Sequence, residues 1–569
     1  MGRKKAGIFT QSDLTIRSYL KAVLGPSIAI SVVLFIIISI APRFVGIPHM
    51  VSIALYAIPL LPLIYAVSYP YAKASSKKVK INSKIPYFAT YFAVLSTSDV
   101  SRSDLIWNLS TEQILEPIAT DMKKVYYLIA KLHRGMPEAL RFLAKRTPSK
   151  VFSDFLERLA YSLDSGVELK DYLLQEQKTV MDDYETFYEN ALYDLDVFKE
   201  IYSSLIISVV FMVTFVIIGP IITGQDIVSL SIFMFVLILA TEIGVLVVIK
   251  HKMPEDKIWS ETAMIPIRKS KIIKAAIISI IGMIIMAILY IFVIKPRFDV
   301  PLLMSIAVVL TPLAYVGKVI GNEEESIIIK DENFPAFIRS LSSSLAASGA
   351  SLHLVLKYLS SHDFGTLTHD IRNLYRRVAM RINDSRAWDY FVSDTGSWLI
   401  SIFSEIFKKS IKLGAEPDYV GMVISRNFER LVRLRRKRQQ NVASFKGVIY
   451  GITGAFAFSV AAAFQVAVYM NYLFSNIQVS GEFLQSIIFV PSSSGLRLTS
   501  YILVAILLLH AFLSSFSIKL ADGGHLGISI YHFVILTWIA ALSMYIGELA
   551  MKKMMTFAGI LWPLLGVIL

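Results

Sequence analysis

The residues of this chain best placed to do chemistry are charged, and they fall in two runs. Arg426, Arg430, Arg433, Arg435, Arg436, Lys437 and Arg438 crowd one segment. Through it Val420, Val423, Ile424, Phe428, Leu431 and Leu434 recur every three or four residues, the spacing of one helical face. The bases lie across from that stripe and are expected to remain in solvent while the stripe packs. Such a surface can steer an acidic partner. It can equally anchor an adjoining membrane helix by its positive charge, and both readings stay open. The second run is acidic: Asp182, Asp183, Glu185, Glu189, Asp194 and Asp196, interleaved with Tyr184, Phe187, Leu192, Leu195 and Phe198. It is either a solvated face or an acidic docking face, led by Asp182, Asp183, Glu185 and Glu189, that meets the basic helix within or between subunits.

Catalytic patterns are missing from the sequence. Gly317-Lys318 runs into Val319 without the glycine-rich lead that cradles phosphates, and no H-E-x-x-H occurs. The nine histidines are scattered and there is no cysteine, which excludes thiolate metal sites and a thiol nucleophile. The sequence therefore predicts no enzymatic activity, no catalytic residue, no metal site and no cofactor. Two polar residues sit within apolar runs, Glu242 and His510. A carboxylate at membrane depth is costly and marks a functional hypothesis by default. Near a helix end, snorkelling or an interhelix hydrogen bond is the plainer expectation. Gly166, Gly414 and the pair Ser348-Gly349 are expected to form helix-ending turns.

The elements that position these groups are mostly membrane helices. The 569 residues are 55% hydrophobic with a mean hydropathy of +0.59, too apolar for a soluble enzyme of this size. Apolar runs of about twenty residues predict crossings near 26–41, 50–69, 201–222, 227–249, 272–294, 301–320, 447–473, 500–517 and 528–546. The stretch 557–569 is apolar but short, and reads as interfacial or re-entrant. A cleaved signal peptide is not expected at the amino end, and Ala6 occupies the position where a myristoylation signal has Ser or Thr. The expected divisions are 1–72 (tail and two spans), 73–200 (a helical module), 201–322 (four spans), 323–445 (a second helical module) and 446–569 (three spans and the tail). The fold class is all-α: a polytopic α-helical membrane protein with two cytoplasmic helical-bundle modules. Excess base puts the modules and the 250–271 loop on the cytoplasmic side of a plasma membrane; Lys552 and Lys553 fit that scheme poorly. The net charge of +14 belongs to these loops and to anionic lipid, not to nucleic acid. Pro417 is placed to start a helix that continues past the bases into the seventh crossing, to 473. Its length would be roughly 85 Å at about 1.5 Å per residue.

The chain also repeats: two helices, a polar module and two helices occur twice in parallel orientation. Pro86-Tyr87-Phe88 corresponds to Pro335-Ala336-Phe337, and Phe155, Glu157, Gly166 and Glu168 to Phe403, Glu405, Gly414 and Glu416. Asp99 stands where the second copy has Gly349. The stretch from Phe334 to Leu341, with the Ser348–Ser351 turn, resembles the opening helix pair of type II secretion F domains, as does Ile85 to Ser98. The segments 152–178 and 181–222, with Asp522-Gly523-Gly524-His525 before the last helices, are similar to the platform proteins of archaella. That resemblance implies a non-catalytic inner-membrane platform. Its implied partners are a cytoplasmic hexameric ATPase, filament subunits (archaellins or pilins), the lipid bilayer and further copies of the chain, most simply as a homodimer. It implies coupling of the ATPase to filament assembly and rotation. The platform of an adhesion pilus or related secretion system is the alternative. A transporter is a more distant one, since it would want inverted repeats and broken helices.

Overall fold

A computed structural model of the chain describes residues 7–40, 59–260, 266–298, 300–349, 351–476 and 493–557. Among them there is no strand; the nearest approach is an isolated bridge between Trp259 and Ser397. Among the described residues seven helices are long and apolar enough to cross a membrane. A bent pair, Leu302–Leu310 and Leu313–Ala347, is an eighth if it acts as one span. Its 47° bend falls at Pro312, whose ring and missing N–H break the ladder of hydrogen bonds. Eight of the nine expected crossings correspond to these helices. The first part of the second, 50–58, and nearly all of the apolar tail, 558–569, lie outside the described residues.

Each expected boundary between module and membrane falls inside a continuous helix: Leu60–Leu95, Leu169–Ile218, Leu313–Ser348 and Pro417–Asn476. The boundary is thus a change of side-chain character along a rod, not a break in it. By contacts the chain forms two compact units. One comprises Met1–Thr186, Ile338–Ala350 and Ile402–Asn427; the other comprises Phe187–Phe337, Ser351–Ser401 and Phe428–Leu569.

The first unit is a helical bundle around Phe88, which is fully buried. Its ring meets Phe152 and Phe155 edge-on at 5.6 and 5.7 Å. Helix Arg102–Ser110 starts where Ser101 accepts a hydrogen bond from the Asp104 amide, and Lys150–Asp164 where Ser149 accepts one from the Phe152 amide; both are N-caps. The second unit repeats the arrangement on Phe337, whose ring meets Phe364 and Phe391 at 5.7 and 5.8 Å. The phenylalanine shared by the two sequence copies is therefore the hub of both bundles. The turns differ: Gly349 has φ +54, whereas Asp99 is not among the residues of positive φ. The expected turns at Gly166 (φ +77) and Gly414 (φ +84) both use the left-handed conformation, which favours glycine.

The second unit also holds the membrane core. Small residues of the Pro417–Asn476 helix, Ala457, Ala461 and Ala467, are buried with Val213, Met234, Leu503 and Ala540. Lipid supplies no hydrophobic drive for helix association, so close packing at small residues does that work.

Candidate docking helix and its buried anchors

The helix Pro417–Asn476 runs unbroken for 60 residues, as its sequence predicts. In the second unit Arg433, Arg436 and Lys437 are exposed and Arg430 is partly buried. Arg426, in the first unit, is exposed. The expectation that the whole run faces solvent is corrected at two positions: Arg435 is 4% exposed and Arg438 is 1% exposed.

Each buried arginine has a full set of acceptors. Arg435 grips Asp256 through Nε at 3.0 Å and Nη2 at 2.7 Å, and Asp331 through Nη1 at 2.7 Å. Asp331 also accepts from Ser397 Oγ, which in turn accepts from the Ile400 amide. Burial works to raise the Asp256 carboxyl, but the guanidinium of Arg435 outweighs it and holds the group below the usual carboxylate range. Arg438 donates to three backbone carbonyls: Ala521 O at 2.7 Å, Pro254 O at 2.8 Å and Leu520 O at 3.3 Å. Leu520 and Ala521 are in the last turn of helix Ser493–Asp522. Arg438 thus occupies the orphan carbonyls and negative dipole end of that helix.

These contacts require the segment 253–260, read from sequence only as part of a basic loop. Pro254, Asp256 and Trp259 instead turn inward. Trp259 Nε1 donates to Glu324 Oε2 at 2.9 Å, and Lys519 Nζ to Glu324 Oε1 at 2.6 Å. The His525 amide donates to the same carboxylate at 2.7 Å. The Asp522-Gly523-Gly524-His525 motif follows from this geometry. Gly523 and Gly524 have φ +85 and +74, and a Cβ on Gly524 would lie 2.4 Å from a Glu324 oxygen.

On the exposed side Arg436 pairs with Glu332 at 2.6 Å, and Lys437 pairs with Glu189 of the acidic helix. Further along, Asn441 donates to Asp196 at 3.1 Å. So within the second unit the acidic and basic helices touch in one chain. Asp182 and Asp183, in the first unit, are exposed and Glu185 is partly buried. Glu242 and His510 meet: His510 Nδ1 lies 2.6 Å from Glu242 Oε1, and both are fully buried. His510 Nε2 is 3.1 Å from Thr453 Oγ1. Ser514 Oγ approaches Glu242 at 3.5 Å and Tyr202 OH at 3.1 Å. The interhelix bond expected of the isolated carboxylate is thus a small polar network spanning four helices. Among the described residues no group of three or more His, Asp or Glu could hold a metal ion.

Two long helical repeats, each continuous with membrane spans, define a class before they define a protein. The family profile of the type II secretion system protein F matches this chain twice, over residues 88–217 and 337–464. Within that class the chain is 38% identical over 549 residues to flagella accessory protein J of Methanocaldococcus jannaschii, covering 95% of this chain and 96% of that one. It is 38% identical over 547 residues to the protein of the same name from Methanococcus voltae, covering 94% and 96%. The chain belongs to the flagella accessory protein J family. No solved structure matches it significantly.

Proposed function

We propose that this chain is the membrane platform of an archaellum-type filament machine, coupling a cytoplasmic hexameric ATPase to assembly and rotation of the filament. Membership of the flagella accessory family is the observation that carries the reading. The helical modules lie on the cytoplasmic side, where basic residues concentrate. The chain performs no catalysis of its own; it receives work from its partner.

The contact with the ATPase is made by the exposed bases of the second unit, Arg433, Arg436 and Lys437, with the partly buried Arg430 beside them, and not by Arg435 or Arg438, which are engaged inside the fold. Exposed charges are worth only about 0–1 kcal/mol each, so a test must change several. Replacing Arg430, Arg433 and Arg436 by Glu is expected to weaken ATPase binding at low salt and abolish filaments, while insertion and abundance persist. A triple variant that inserts normally, binds the ATPase with unchanged affinity and still assembles filaments would reduce these residues to an anchor.

A further inference from the structure

The first unit contains a cavity of about 770 Å³ that nothing in the platform reading uses. Its walls carry Lys77, Lys123, Lys124 and Arg146 against Asp13 and Asp121. Four cations face two carboxylates, which leaves the cavity positive. Its remaining lining is largely apolar, including Phe9, Leu14 and Leu128.

The polar groups are held in place from behind. Asp121 is fully buried, and its Oδ1 accepts from Lys77 at 3.0 Å and Lys124 at 2.7 Å. Those two lysines also hold Asp13, which docks the amino-terminal segment on the bundle. Arg146 is stacked on Phe142, with its guanidinium carbon 3.5 Å from the ring centroid. Oδ2 of Asp121 takes no hydrogen bond from any described residue. That oxygen is closed off from the cavity, so a bound ligand's polar contacts fall to the cations on its wall, Lys123, Lys124 and Arg146.

Position says what kind of molecule that is. Thr15 lines the cavity and caps the helix whose first residue, Ile16, opens the first candidate span. Tyr19 of that span donates to Ala66 O at 2.8 Å, which ties it to helix Leu60–Leu95. On that helix the exposed apolar residues Leu60, Ile64, Tyr65, Val67 and Tyr71 give way to Lys73 and then Lys77. Lys77 lies six residues beyond Tyr71, roughly 9 Å at about 1.5 Å per residue. The polar layer of one leaflet is roughly 5–8 Å deep. Two helices therefore put the cavity at the outer edge of the headgroup layer, where tyrosines such as Tyr19, Tyr65, Tyr69 and Tyr71 are favoured.

We propose that this cavity holds the headgroup of an anionic phospholipid. Its phosphate sits among Lys123, Lys124 and Arg146, and its chains lie along the exposed Ile16 and Leu20. Bound there, the lipid fixes the amino-terminal segment against the bundle. The proposal is independent of which machine the platform serves.

The test uses the full chain in nanodiscs of uncharged lipid, titrated with short-chain phosphatidylglycerol while hydrogen exchange of residues 8–14 is followed. Saturable slowing of exchange is expected with phosphatidylglycerol and not with phosphatidylcholine. The double variant Lys123→Gln/Arg146→Gln should weaken the apparent affinity about thirtyfold, since each juxtamembrane cation contributes about a factor of five. Lys131→Gln/Lys145→Gln removes the same charge from exposed positions outside the cavity and should leave the affinity unchanged. Unaltered melting of both variants separates lost binding from lost fold. Equal slowing by phosphatidylcholine, equal losses in the two double variants, or full slowing by inorganic phosphate alone would each overturn the proposal.

Discussion

Arg435 shows what sequence periodicity can and cannot say about a single residue. Counted as a charge, it belongs with its six basic neighbours. Counted by position, the buried residues Leu431, Leu434, Arg435, Arg438, Val442 and Phe445 continue the apolar stripe at helical spacing. The stripe was legible, and extending it four residues would have placed both arginines inside. Their acceptors were not legible. Asp256 lies 179 positions away and Asp331 104, and no local pattern joins them. The burial makes a sharp prediction. Arg435→Ala removes the guanidinium that joins Asp256 to the buried Asp331 and leaves Asp331 without its ion-pair partner, an error that costs about 3–5 kcal/mol. Arg433→Ala, on the exposed face, should change stability by no more than about 0.5 kcal/mol. Thermal unfolding of the two variants in detergent should therefore differ severalfold in effect; equal shifts would remove Arg435 from the core.

At the scale of elements, the helix Pro417–Asn476 has glycines with opposite roles. In the first unit Gly421 is pressed on helix Leu313–Ser348, and a Cβ added there would lie 2.1 Å from Ser342 Cβ and Oγ. A methyl group must push the two helices apart, and overpacking of this kind costs about 1–3 kcal/mol. Gly447 has nothing within 4 Å of its would-be Cβ, so alanine there should stabilise by about 0.5–1 kcal/mol through helix propensity alone. Opposite shifts in melting temperature are expected for Gly421→Ala and Gly447→Ala; the same sign for both would mean that the close approach does not govern. The sequence announces the helix and its start at Pro417. It does not announce which glycine is a contact, because that depends on a neighbour about eighty residues earlier.

For the whole molecule, composition was the strongest guide. Apolar run length located the spans, the internal repeat located the two phenylalanine hubs, and the lack of a phosphate-cradling loop turned attention from catalysis to coupling. What composition hid was the segment 253–260. The lysines of the wider 250–271 stretch made it look like a loop in solvent, while Pro254, Asp256 and Trp259 serve the interior. Orientation across the membrane is open to direct measurement, since the chain has no native cysteine. Ser165 and Ser361 are exposed, one in each sequence repeat. Ser165→Cys and Ser361→Cys should resist an impermeant thiol reagent in intact cells and react once the membrane is opened. Labelling of either in intact cells would contradict a cytoplasmic placement of its module.

Arg438 carries a consequence for how the chain is made. Its guanidinium is buried, yet two of its three acceptors, Leu520 and Ala521, are synthesised more than eighty residues after it. During translation, then, the arginine leaves the ribosome well before its partners exist. The 253–260 segment, already made, can offer Pro254 O but cannot close the site alone. The ledge between modules and spans in the second unit is therefore finished late, when helix Ser493–Asp522 has been inserted and its last turn has come round to the arginine. A nascent chain that stops before residue 493 lacks the two carbonyls that close this joint in the mature protein.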